Sequence, residues 1–98
     1  MTIGNWTIST RDESTIIYPY TREGKRIRVQ LPKAVMQLKH DNGSTVEFSK
    51  YKTQGKWFYR DSRSKESVNV HRVVSEVARM LAVDPATARE VINMHLAV

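Results

Sequence analysis

Lys56-Trp57-Phe58-Tyr59-Arg60-Asp61-Ser62-Arg63-Ser64-Lys65-Glu66-Ser67-Val68-Asn69-Val70-His71-Arg72-Val73-Val74 contains the point at which the hydrophobic period of the chain changes. Lys56 to Asp61 is rich in aromatic residues, as strands are. Ser62 to Ser67 has no apolar residue and forms a polar linker. Beyond it Val70, Val73, Val74, Val77 and Leu81 recur with the spacing of one helical face, while Arg72, Ser75, Glu76 and Arg79 fall away from that stripe. Strands before the linker and helices after it predict an α+β chain.

Downstream, Asp84-Pro85 is a helix start signal, an N-cap acceptor followed by proline at the first helical position. Ala88, Val91, Ile92 and Leu96 then form the buried stripe of a second helix.

Upstream, Thr45–Lys52 and Lys56–Asp61 flank Thr53-Gln54-Gly55, which predicts a hairpin with a three-residue loop and glycine in the left-handed position. Pairing Lys52 with Lys56 places Tyr51 opposite Trp57 and Ser49 opposite Tyr59 on one face. The other face then carries Lys50, Lys52, Lys56 and Arg60 with Phe48 and Phe58. Asn42-Gly43 marks the preceding hairpin turn, which favours a strand over a helix for residues 33–40 despite Pro32. Arg26-Ile27-Arg28-Val29-Gln30-Leu31 alternates as a strand, with Ile27, Val29 and Leu31 on one face. Trp6–Thr10 and Thr15–Tyr20 read as two further strands around the polar turn Arg11-Asp12-Glu13-Ser14, with Pro19 marking an edge or an early end. The expectation is one domain over residues 1–98: a β-meander of about five antiparallel strands (1–61), a linker (62–67) and two packed helices (68–98).

Charge narrows the function. The chain carries a formal +6, and residues 22–65 hold twelve basic against four acidic side chains. Residues 66–98 hold three against four. A concentrated positive charge points to a polyanionic partner. No stretch approaches the roughly 20 apolar residues of a membrane span, and Met1-Thr2-Ile3-Gly4-Asn5-Trp6 has neither the basic nor the apolar region of a secretory signal. Without cysteine there is no disulfide, thiol nucleophile or cysteine-held zinc. A cytoplasmic setting is expected. His40, His71 and His95 share no metal-ligand spacing, the carboxylates form no acid/base pair, and no phosphate loop or nucleophile elbow is present. Neither an enzyme nor a cofactor is expected.

Two surfaces are candidates for the polyanion. The first is the basic, aromatic-interleaved sheet: Lys50, Lys52, Lys56 and Arg60, with Arg26 and Arg28 extending it and Arg63 and Lys65 adding from the linker. In this arrangement Tyr51, Trp57 and Tyr59 would be core beneath the helices. The second is the helical pair. Val77 to Asn93 resembles the helix-turn-helix of the lactose-repressor family of transcription regulators over about 17 of 98 residues. Ala78 matches the small residue where the two helices cross, Val83 the apolar residue after the turn, Val91 the late apolar position, and Pro85-Ala86-Thr87 the entry to the recognition helix. Ala82 stands where that family has glycine, and would have to adopt a left-handed or distorted conformation. Ala88 replaces its usual valine, and only five residues follow Asn93. The resemblance implies base or phosphate contacts by Thr87, Arg89 and Asn93, and a homodimer on paired half-sites. The same spacing also fits an αα-hairpin that simply covers the sheet.

These expectations converge on a small regulatory or accessory protein that binds nucleic acid, with DNA first in line. The alternative is a protein-protein module, such as a phage or mobile-element inhibitor or adaptor, that binds an acidic surface of a larger machine.

Overall fold

The structure, a computed structural model, describes every residue except Tyr18, Pro19, Gln54, Lys65 and Val98, and does not describe the side chains of residues 12–17, 29–32 and 53. Six strands run in sequence order through one antiparallel sheet, β1 (Thr2–Ile3), β2 (Trp6–Ile17), β3 (Val29–His40), β4 (Thr45–Thr53), β5 (Lys56–Asp61) and β6 (Ser67–Val68). Two helices follow, α1 (Val70–Leu81) and α2 (Pro85–His95). The α+β meander capped by a helical pair is therefore the observed architecture.

Its strands are fewer and longer in the N-terminal part than the sequence suggests. Arg11-Asp12-Glu13-Ser14 is not a turn: each residue from Trp6 to Ile17 pairs with one between Val29 and His40. Likewise the two strands expected over 26–31 and 33–40 are one, passing through Pro32, and the favoured strand at 33–40 is correct. This strand begins at Val29. Arg26 instead makes a single bridge to Tyr20, and Ile27 is 45% exposed. The face on which Val29 and Leu31 lie with Ile27, and the edge marked by Pro19, fall outside the described residues.

Alternation explains which face is covered. Ile8, Ala34, Met36, Leu38, Val46 and Phe48 point to one side of the sheet. They meet Val73, Val74, Val77 and Leu81 of α1 and Ala88, Val91, Ile92 and Leu96 of α2. The predicted helical stripes are buried, with Val70 partly so. Asn69 caps α1 by accepting a bond from the Arg72 amide at 2.8 Å, and Asp84 caps α2 by accepting one from the Thr87 amide at 2.9 Å. Ala82 adopts the left-handed conformation expected of it, φ 54 and ψ 46, and its amide closes on the Ala78 carbonyl.

Length decides what the helices leave uncovered. A 12-residue helix such as α1 is about 18 Å long, whereas a 12-residue strand such as β2 is about 40 Å. The pairing of β3 with β4 stops at Lys33–Tyr51, while β2 and β3 continue together to Ile17–Val29. The result is a two-stranded arm beyond the packed end, in a molecule of 54 × 24 × 22 Å.

The polar run after β5 is held rather than loose. Asp61, only 5% exposed, accepts bonds from the Arg63 amide (2.9 Å) and guanidinium (2.7 Å at Nη2). The Arg63 guanidinium also reaches Glu76 on α1 at 3.2 Å, and Glu76 pairs with Arg79. Ser67 belongs to β6 rather than to a linker.

Candidate nucleic-acid interface

The register of the β4–β5 hairpin differs from the expected one by a single residue, and this rearranges the basic patch. Thr53 pairs with Lys56, Lys52 with Trp57, Tyr51 with Phe58, Lys50 with Tyr59 and Ser49 with Arg60. The loop has two residues, not three, and Gly55 takes the left-handed conformation at φ 77. A one-residue slip turns a whole strand over relative to its neighbour. Lys50, Lys52, Lys56 and Arg60 therefore do not share a face. Lys50 and Lys52 lie on the side of the helices with Trp57 and Tyr59, and Lys56 and Arg60 lie on the open side with Tyr51 and Phe58.

On the helix side, the hairpin projects past the buried cluster. The Lys50 ammonium sits 5.0 Å from the Trp57 ring centre and 5.9 Å from that of Tyr59, and Lys52 sits 5.7 Å from Trp57. The rings hold both cations in place by attraction to their electron-rich faces. Trp57 remains 38% exposed, so it is not the core residue the sequence suggested, whereas Tyr59 does pack against the cluster. Phe48, expected among the lysines, is 1% exposed in the core.

The open side carries a different assembly. Tyr51, also expected in the core, stacks on Phe58 with ring centres 5.8 Å apart and planes 24° apart. Beside them Lys33, Ser49, Tyr51 and Arg60 line a shallow pocket of about 210 Å³. Lys33 enters because it pairs directly with Tyr51 across β3 and β4. The sequence reading missed Lys33 and Ser49. A signal was present: the β3–β4 pairing is symmetric about Asn42, so counting outward from that turn puts Lys33 opposite Tyr51.

The arm adds more charge. Tyr20 to Arg28 contains Arg22, Lys25, Arg26 and Arg28, all exposed, against Glu23 alone. Arg26 and Arg28 thus extend the basic end of the molecule but not one face of the β4–β5 hairpin, because they precede the part of β3 that pairs with β4. Of the two linker cations, Arg63 is engaged by Asp61 and Glu76, and Lys65 lies outside the described residues. Residues 12–33 and 49–60 together hold nine basic and three acidic residues. The remainder of the chain holds seven of each. All of the formal +6 therefore resides in these two segments, the arm and the β4–β5 hairpin.

On α2, Arg89 and Asn93 are exposed, but Thr87 is half-buried and its amide is bonded to the Asp84 cap. Glu90 and Met94 share the exposed surface of this helix. The Thr87 bond holds the Asp84 carboxyl below its ordinary range, so a negative charge stays fixed at the start of the helix.

The histidines are dispersed. His40 meets Trp6 edge-to-face at 4.8 Å, His71 is exposed, and His95 Nδ1 lies 2.6 Å from Thr10 Oγ1. Burial pushes the His95 imidazole below its usual pKa, favouring the neutral ring. Among the described residues no group of three or more His, Asp or Glu side chains is placed to hold a metal, and no helix is long and apolar enough to cross a membrane. The chain matches no protein family, no curated protein and no solved structure.

Proposed function

We propose that this is a cytoplasmic, non-enzymatic nucleic-acid-binding protein, regulatory or accessory in role, that engages its polyanion through the basic end of the sheet. One observation carries the reading: the net charge is wholly segregated to that end, while the helical end is neutral. Segregation of this kind costs self-repulsion in the free protein, and a phosphate backbone relieves it. Cations on both sides of a narrow hairpin suit a ribbon flanked by phosphates better than a flat patch pressed on a surface. The helices serve mainly to cover the sheet, since residues 66–98 hold three basic side chains against four acidic ones.

Fluorescence anisotropy with labelled duplex and single-stranded DNA over a range of salt tests this. The wild type should lose affinity steeply as salt rises. Lys50→Glu with Lys52→Glu, and separately Lys56→Glu with Arg60→Glu, should each weaken binding on the order of tenfold or more at low salt. Arg89→Ala with Asn93→Ala should stay within about twofold, as expected for groups outside the phosphate contact. Absence of salt-dependent binding to either nucleic acid, or a loss confined to the helix variant, would overturn the proposal.

A further inference from the structure

Among the described residues, four aromatics, Tyr20, Tyr51, Trp57 and Phe58, lie outside the buried cluster and within the basic end. Trp57 is engaged by the two lysines beside it. Tyr51 and Phe58 differ: they stack on each other on the side of the sheet that no helix covers. Half-buried rings beside cations offer a flat apolar surface on which a base can stack while its phosphates meet the charges. The adjoining pocket supplies the other half of a recognition site. It is lined by Lys33, Ser49, Tyr51 and Arg60 around about 210 Å³, side chains that end in an ammonium, two hydroxyls and a guanidinium. Cations and hydroxyl donors converging on a small cleft suit a phosphate group.

We infer that the open side of the β4–β5 hairpin is a single-strand site, taking one phosphate in the Lys33–Arg60 pocket and stacking an unpaired base on the Phe58–Tyr51 pair. The inference rests on the proposed nucleic-acid role and names the form of nucleic acid it serves. Rings bind bases only when those bases are unpaired, because a duplex offers its edges and phosphates but not its base faces. The strand geometry matches the ligand. Lys56, Phe58 and Arg60 follow one another on the same side of β5 at steps of about 7 Å, close to the length of one extended nucleotide. A cation, a ring and a cation in that order present alternating contacts to phosphate, base and phosphate.

The test compares a 12-nucleotide deoxyuridine strand, the corresponding uridine strand and a 12-base-pair duplex by anisotropy at fixed salt. One of the single strands should bind about tenfold tighter than the duplex, the worth of one good stacking contact. The better of the two identifies the sugar. Phe58→Leu should weaken single-strand binding about tenfold and leave duplex binding within twofold. Phe58→Trp, which keeps a flat ring, should bind at least as tightly as the wild type. Arg60→Gln should reduce the slope of log affinity against log salt by about 0.7, the loss of one single-strand phosphate contact. Circular dichroism melts establish that each variant is folded, and the Trp and Gln variants decide the matter if the Leu variant is not. Duplex binding equal to or tighter than single-strand binding, or an unchanged affinity in folded Phe58→Leu, would overturn this inference while leaving the broader role standing. Failure of the wild type to bind any of the three would instead remove the broader role, and this inference with it.

Discussion

Phe48 and Phe58 sit on neighbouring strands of one sheet, yet the first is 1% exposed beneath two helices and the second is half-buried on an open side among cations. The contrast extends to everything around them. The Phe48 end is neutral, and its one buried carboxylate, Asp61, has a partner. The Phe58 end carries the whole net charge, and the described aromatic rings outside the core lie there. One end of the sheet is organised for stability and the other, on the proposed function, for contact. Substitutions that separate stability from affinity are therefore the way to challenge the division.

The largest effect should come from Phe48→Ala. Truncating a fully buried Phe removes its transfer free energy and leaves a cavity, at a cost of about 3–5 kcal/mol. Phe58→Ala should cost only about 1 kcal/mol, mostly its stacking with Tyr51. Urea titrations of both variants measure the difference. If Phe58→Ala destabilises the protein as much as Phe48→Ala, the open side is core and the division fails.

Asp61 comes next, because it fastens the segment after β5 to α1 through Arg63 and Glu76. Removing its charge leaves the Arg63 guanidinium half-satisfied. Arg63 is 45% exposed, so water recovers part of the loss, and Asp61→Asn should cost about 1–2 kcal/mol at neutral pH. The pH dependence has a definite sign. The Arg63 hydrogen bonds hold the folded carboxyl below its ordinary value of 3.8. Above pH 3.8 the contribution is complete; below it the unfolded chain takes up a proton first, and stability falls until pH passes the lower folded value. Glu76 reinforces the same trend, its carboxyl lowered by the Arg79 bond and then by Arg63. Stability curves from pH 7 to 2 should show a shallower acid decline for Asp61→Asn than for the wild type. Parallel curves would mean that the clamp contributes nothing.

How legible each end is follows the same division. The helices can be read residue by residue, since Val73, Val74, Val77 and Leu81 have to share a face for α1 to be buried at all, and Asp84-Pro85 fixes where α2 begins. The strand at 33–40 is likewise readable from Asn42-Gly43. The run Arg11-Asp12-Glu13-Ser14 has no apolar residue and hence no alternation to read, so it looks like a turn even though it is paired throughout. The candidate site suffered most because its faces depend on one loop length. Both a two-residue and a three-residue loop satisfy Thr53-Gln54-Gly55, and the choice between them exchanges the companions of every lysine.

The smallest effect concerns Ala82, and it bears on whether the helical pair is scaffold or reader. Its left-handed conformation costs a residue with a Cβ about 1–2 kcal/mol, and the turn between α1 and α2 cannot form without it because its amide bonds to the Ala78 carbonyl. Glycine removes that strain but gives up about 0.5–1 kcal/mol in backbone entropy. Ala82→Gly should therefore stabilise the chain by about 0.5 kcal/mol, raising the melting temperature by about 2–4 °C. A scaffold gains stability and nothing else, so nucleic-acid affinity should be unchanged at equal salt. A reader depends on the angle at which α2 leaves that turn, and relaxing it would alter affinity or sequence preference. Calorimetry paired with anisotropy on the one variant separates the two, and a change in binding without loss of stability would move the contact surface from the sheet to the helices.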